Sequence, residues 1–294
     1  MSDAPAPIAP APPPVADAPR RPSPPGLMTG ALRIFDMSIG QMLWSRRTVF
    51  MALVVGVPVV IAVALRVMVE LGAPIMRSGR SPISGGVVFG LMMWGFYVRF
   101  AAPVLAVFYG TSLIADEVED KTLTYLFTRP IPRSAVLLGK YFAYLVCTIG
   151  VVLPSVMLVW LLIASLNDTL GNTFLSLVKD LGILATGLAV YGAVFALVGA
   201  VVRRPLLVGL GLVFGWETIA LALPGFMKRL SVAFYLQGLV PHAMPADSPV
   251  AVLQTFFQQS ISLPQSLLSL AAIAVVSLWL AARAVSRREY VLEQ

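Results

Sequence analysis

The feature that most constrains this chain is a succession of uninterrupted apolar runs, at approximately 48–70, 87–113, 141–166, 178–202, 206–223 and 264–283. A helix needs about 20 predominantly apolar residues to cross roughly 30 Å of hydrocarbon, and in lipid each backbone polar group must find its partner inside the segment. Runs of this length predict spanning helices. The charge content agrees, because only 12% of the 294 residues are charged and 58% are hydrophobic, against about 25% charged in a soluble domain. The expected fold class is an all-α membrane protein with about six transmembrane helices, its membrane domain covering residues 48–288. Pro58, Pro103 and Pro154 fall inside three of the runs, where kinks are expected.

The flanking segments read differently. Residues 1–28 are rich in proline and alanine, a composition that buries no core and predicts a disordered tail. They lack the basic start followed at once by an apolar stretch that a signal peptide needs. Between 29 and 47, Leu32, Phe35, Ile39, Met42 and Leu43 recur at helical spacing, with Arg33, Asp36, Gln41 and Arg46 mostly between them. That pattern predicts an interfacial amphipathic helix leading through Arg46 and Arg47 into the first run, with a cytosolic cap as the alternative. In the stretch 224–263, Phe226, Leu230 and Phe234 suggest a short amphipathic helix dipping into the outer leaflet, or else a plain loop. Residues 289–294 form a short C-terminus.

An even number of spans puts both termini on one side, and the basic residues choose it. One side holds Arg20, Arg21, Arg33, Arg46, Arg47, Lys121, Arg129, Arg133, Lys140, Arg203, Arg204, Arg283, Arg287 and Arg288; the other holds Arg77, Arg80, Lys179, Lys228 and Arg229. The richer side is expected to be cytoplasmic. Topology thus accounts for the formal charge of +7, and the basic residues form no stripe with interleaved aromatics that would point to nucleic acid.

The charged connection between the second and third runs carries the most chemistry. Residues 115–141 read ADEVEDKTLTYLFTRPIPRSAVLLGKY. Asp116, Glu117, Glu119 and Asp120 begin a helix in which Glu117 can pair with Lys121 four residues on. Thr122 and Leu123 open an apolar turn that continues to Leu126 and Phe127. Pro130 and Pro132 end it, because neither can continue an intrahelical ladder. Read from charge alone, the segment is either a docking element or a solvated face that fixes topology.

The ordered set Glu117, Thr122-Leu123, Arg129-Pro130, Arg133 and Gly139-Lys140 resembles the membrane subunits of type-2 ABC exporters, bacterial permeases that pair with a separate ATPase. Lys121 departs from the pattern, since many relatives carry glycine before the threonine. The resemblance covers about residues 29–288. It implies that the segment from Asp116 to Arg133 is a cytoplasmic coupling helix resting on a cytosolic ABC ATPase subunit, which would bind ATP and magnesium. It also implies a homodimer or a heterodimer with a second permease, in the bacterial inner membrane. A non-transporting scaffold or sensor that docks a partner through the same loop is the alternative.

Two charges lie inside the runs. Arg99 is roughly 21 Å and Glu217 roughly 16 Å from the cytoplasmic ends at 1.5 Å per residue, within reach of one another. Charges at such depth are expected either to pair or to line a translocation path. Arg66, near the outer end of the first run, is expected to snorkel. No catalytic residue is expected. The one histidine, His242, sits next to Pro241 in the outer stretch with no nucleophile to serve, and the lone Cys147 makes no disulfide framework or cysteine metal site. The chain has no G-x-x-x-x-G-K-[ST] loop for ATP, so neither a nucleotide nor a metal cofactor is expected within it. No internal repeat of the kind secondary transporters show is visible.

Overall fold

The computed structural model describes residues 27–72, 77–78, 81–82, 85–114, 133–164, 170–222, 225–239 and 262–287. Helix α1 (Leu27–Leu43) leads into α2 (Arg46–Glu70). A two-residue antiparallel ladder, β1 (Arg77–Ser78) with β2 (Ser81–Pro82), pairs Arg77 with Pro82 and Ser78 with Ser81. It precedes α3 (Gly85–Ile114). Helices α4 (Arg133–Ala164) and α5 (Leu170–Val201) follow. The next helix, α6, runs through Pro205–Leu210, a π-helical stretch Gly211–Trp216, and Glu217–Ala222. A 3-10 turn Gly225–Leu230, a short helix α7 (Val232–Gln237) and the long α8 (Leu263–Arg287) complete the described chain.

Among the described residues, five helices are long and apolar enough to cross a membrane: Arg47–Glu70, Gly85–Ile114, Ser134–Ile163, Thr173–Val201 and Leu263–Arg287. The all-α membrane fold expected from the runs is therefore present. The apolar helix Pro205–Ala220 belongs to a shorter class of 10–17 residues, and at 1.5 Å per residue it reaches about 24 Å, short of the hydrocarbon thickness. The chain then turns back instead of continuing outward. Pro58 and Pro154 sit inside unbroken helices. Pro103 stands at a change of winding, where a π-helical stretch Met93–Ala101 gives way to α-helix at Ala102. Proline has no N–H to return to the carbonyl four residues back, which loosens the ladder just before it.

Helices α3 and α5 form the centre. In their most apolar windows 56% of residues are buried, against 28% for α2 and 22% for α8. Small residues permit the close approach. A Cβ at Gly192 would overlap the Tyr144 ring of α4, and one at Gly199 would overlap the carbonyl of Thr111 in α3. Tyrosine hydroxyls finish the seams, because a buried hydroxyl without a partner is costly. Tyr144 Oη donates to the Leu188 carbonyl at 2.9 Å and Tyr141 Oη to that of Ala189 at 2.8 Å. Ser155 Oγ donates to the Val55 carbonyl at 3.1 Å, so the 2.6 Å bond between Tyr97 and Ser155 uses the tyrosine proton. That pair of bonds links α2, α3 and α4.

Helix α1 has three faces. Successive residues step about 100° around a helix. Ala31, Ile34 and Ser38 are buried against α4, where a Cβ on Gly139 would stand 2.5 Å from the Ala31 carbonyl oxygen and 2.9 Å from Ile34 Cβ. The larger apolar residues of the amphipathic pattern lie on the adjoining face, where Leu32 is exposed and Phe35, Ile39 and Met42 are half-buried. Arg33, Asp36 and Gly40 are exposed on the third. Small side chains make the protein contact because they let two backbones meet.

Candidate functional site

Of the residues singled out for docking, Asp116, Glu117, Glu119, Asp120, Thr122, Leu123, Arg129 and Pro130 lie outside the described residues, as do residues 1–26 of the expected tail, His242 and the C-terminus. Leu27 and Met28, expected in the tail, already belong to α1. Arg133 begins α4. What the structure defines is the pair of anchors on either side of the 115–132 segment. On one side Thr111, Ser112, Leu113 and Ile114 are all buried; on the other Ala135, Val136 and Leu137 are. Thr111 Oγ1 donates to the Val107 carbonyl at 2.5 Å and Ser112 Oγ to that of Tyr109 at 2.8 Å, so the hydroxyls are satisfied within the last turns of α3.

These anchors touch nearly every neighbouring helix. The Thr111 backbone lies on Gly199 of α5. A Cβ on Gly209 of α6 would come within 2.9 Å of Val107 Cγ1 and 3.5 Å of Thr111 Cγ2. Through Gly139, α4 carries α1. A displacement at the ends of the 115–132 segment therefore reaches helices in direct contact with α1, α5 and α6. Packed interiors transmit such shifts because they do not deform continuously.

The second group of residues lies deeper. Glu217 accepts hydrogen bonds from the Ser231 hydroxyl, from the backbone N–H of Val232 at 3.1 Å and from that of Ala233 at 3.2 Å. Ser231 is the N-cap of α7, with φ −97° and ψ 133°, and its oxygen accepts from the Phe234 N–H at 3.4 Å. The N–H groups that begin a helix have no partner within it, and here a carboxylate from α6 and the capping serine take three of them. Tyr191 of α5 and Arg99 of α3 lie close enough to this carboxylate to interact with it electrostatically. Arg99 and Glu217, chosen from sequence for their depth, are thus near one another, while the direct bonds of Glu217 go to α7.

Helix α7 is packed into the bundle. Val232, Ala233, Phe234, Tyr235 and Leu236 are buried, and Leu236 packs on Gly187 of α5. The periodicity through Phe226, Leu230 and Phe234 breaks at Ser231, leaving Leu230 exposed and turning Phe234 inward. The partnership between Glu217 and residues 231–233 was invisible to spacing, since it depends on the chain reversing after α6. The run of Ser231 before an apolar turn was its one sequence signal. Arg66 does more than snorkel: its guanidinium pairs with Glu70 at 2.8 Å and donates to the Leu162 carbonyl of α4 at 3.2 Å.

No group of three or more histidine, cysteine, aspartate or glutamate side chains that could hold a metal occurs among the described residues. The fold is that of a multi-pass helical membrane protein with two central, largely buried helices. Residues 29–290 match the family described as ABC-2 family transporter protein, and the chain belongs to that family. It is thereby a permease-type membrane component of a transporter. No curated protein matches it.

Proposed function

We propose that this chain is the permease subunit of an ATP-driven exporter in a bacterial inner membrane, with both termini cytoplasmic and two permeases, identical or paralogous, around one path. ATP and magnesium bind in a separate cytosolic subunit, which rests on the segment from Asp116 to Arg133. The observation that carries this reading is the convergence of α3, α5 and α6 at Thr111, Gly199 and Gly209, directly beside that segment. Closure of the ATPase pushes the anchors, and rigid-body rocking of the attached helices alternates access to the path. Residues 1–26 form a tail, and α1 lies at the inner interface with its Leu32 face in lipid.

The test is co-expression with a candidate ATPase, chosen from the neighbouring reading frames. The wild-type chain should co-purify with it and stimulate its turnover in proteoliposomes. Reversing charge with Glu117→Lys and Glu119→Lys should abolish both. Co-purification that survives the reversal would remove the segment as docking site. An ATPase that binds and is never stimulated would assign the chain to the scaffold class.

A further inference from the structure

Glu217 occupies a position with two possible partners. It now holds the first N–H groups of α7, while Arg99, a stronger and always charged donor, stands nearby on α3. Both charged residues are associated with unusual winding. Arg99 lies within the π-helical stretch Met93–Ala101, and Glu217 immediately follows the π-helical stretch Gly211–Trp216. The two stretches meet through Phe100 and Phe214, whose ring centroids are 6.3 Å apart. π-helical turns are rare and costly, and they occur mostly where a helix must change register.

Returning a π turn to α winding moves everything beyond it by one residue, a rotation of about 100°. Around Gly95, Gly211 and Gly215 an added Cβ would meet no heavy atom within 4 Å, so the glycines of the two π stretches face open space and do not themselves lock the winding. From these observations we propose that Glu217 is a latch: it seats α7 in the bundle in this state, and rewinding of the π stretch transfers its carboxylate to Arg99 and frees α7. Leu236, fully buried on Gly187, then loses its seat and the outer end of the bundle opens. The seating of α7 is a property of this chain alone; its release during turnover rests on the reading of the chain as an ATPase-driven permease.

The experiment uses the full-length chain with its ATPase in proteoliposomes. Cys147 is replaced by serine, Leu236→Cys is introduced, and a membrane-impermeant maleimide is added to the outer face. The latch predicts little labelling at rest and at least about tenfold faster labelling during ATP turnover, the scale set by losing several bonds to a charged acceptor. Glu217→Ala should label fast without ATP, and the milder Ser231→Ala should show an intermediate resting rate. Adding Ser231→Asp to Glu217→Ala supplies α7 with a carboxylate of its own, which should restore slow labelling at rest and keep it slow during turnover. Arg99→Met should remain slow in both conditions.

Resting protection that persists in Glu217→Ala and Ser231→Ala would overturn the seating role. Fast turnover labelling in Arg99→Met, or in the Glu217→Ala, Ser231→Asp chain, would overturn the transfer. Should the wild-type chain fail to stimulate any ATPase, the functional reading falls, and the resting rates still decide whether Glu217 seats α7.

Discussion

The ring of Tyr144 fills the space into which any side chain at Gly192 would project, and its hydroxyl closes on the Leu188 carbonyl one helical turn away. The third and fourth long spans are fitted together at this point. Gly192→Ala should destabilise the protein by about 1–3 kcal/mol, the usual cost of forcing atoms into a filled interior. Tyr144→Phe, which keeps the ring and loses the bond, should cost about 0.5–1.5 kcal/mol. Thermal unfolding in detergent measures both. If Gly192→Ala melts with the wild-type chain, the fit at Tyr144 is looser than described.

A contrast with Gly150 of α4 sharpens that expectation. Gly150 has no heavy atom within 4 Å of an added Cβ. Gly150→Ala should therefore be neutral or stabilising by up to about 1 kcal/mol, the difference in helix propensity. A loss of stability comparable with that of Gly192→Ala would show that glycine is needed there for a reason other than space.

At Gly199 the obstructed group is the Thr111 backbone, which cannot swing aside as a side chain can. Gly199→Ala should force α3 and α5 apart near the start of the 115–132 segment, the ATPase contact in the proposed function. Stimulated ATP turnover should fall by about tenfold, as expected from a shift of roughly 1.4 kcal/mol in a coupling equilibrium. Unchanged stimulation would mean that the push travels by another route.

Gly139→Val should detach α1 from α4, because a branched side chain cannot share the space held by Ala31 and Ile34. Trypsin cleavage after Arg33 is the readout: slow in the wild-type chain, fast in the variant. Equal rates would show that the Leu32 face in lipid holds α1 by itself.

Trp44, 93% exposed between α1 and α2, is placed to anchor this corner at the membrane surface. In a variant keeping Trp44 as its sole tryptophan, bromine near the lipid headgroup should quench fluorescence more than bromine near the acyl terminus. The reverse order would bury the corner deeper than an interfacial helix allows.

Run length made the spans legible, and periodicity made α1 legible as a helix. What hydropathy could not reveal was which face of α1 meets protein, since Ala31 and Ser38 carry little hydrophobic weight while giving the backbones room to touch. Winding was equally hidden: Pro103 hints at the π stretch in α3, but α6 has only glycines to suggest its own. Arg99 and Glu217 stood out because charge is expensive in lipid. Ser231 did not, since its value depends on the reversal after Ala222, and no local pattern encodes a partner on a returning segment.

The unequal burial of the spans divides the sequence into parts with different freedom to drift. The outward faces of α2 and α8 meet no other part of the described chain, and one branched aliphatic there can replace another with little consequence for its packing. At Gly192 and Gly199 of α5 a single methyl is an obstruction. Closely related chains should accordingly differ most along the first and last spans, and a library of random substitutions should lose function at Gly192 and Gly199 long before it does at Val60 or Val275.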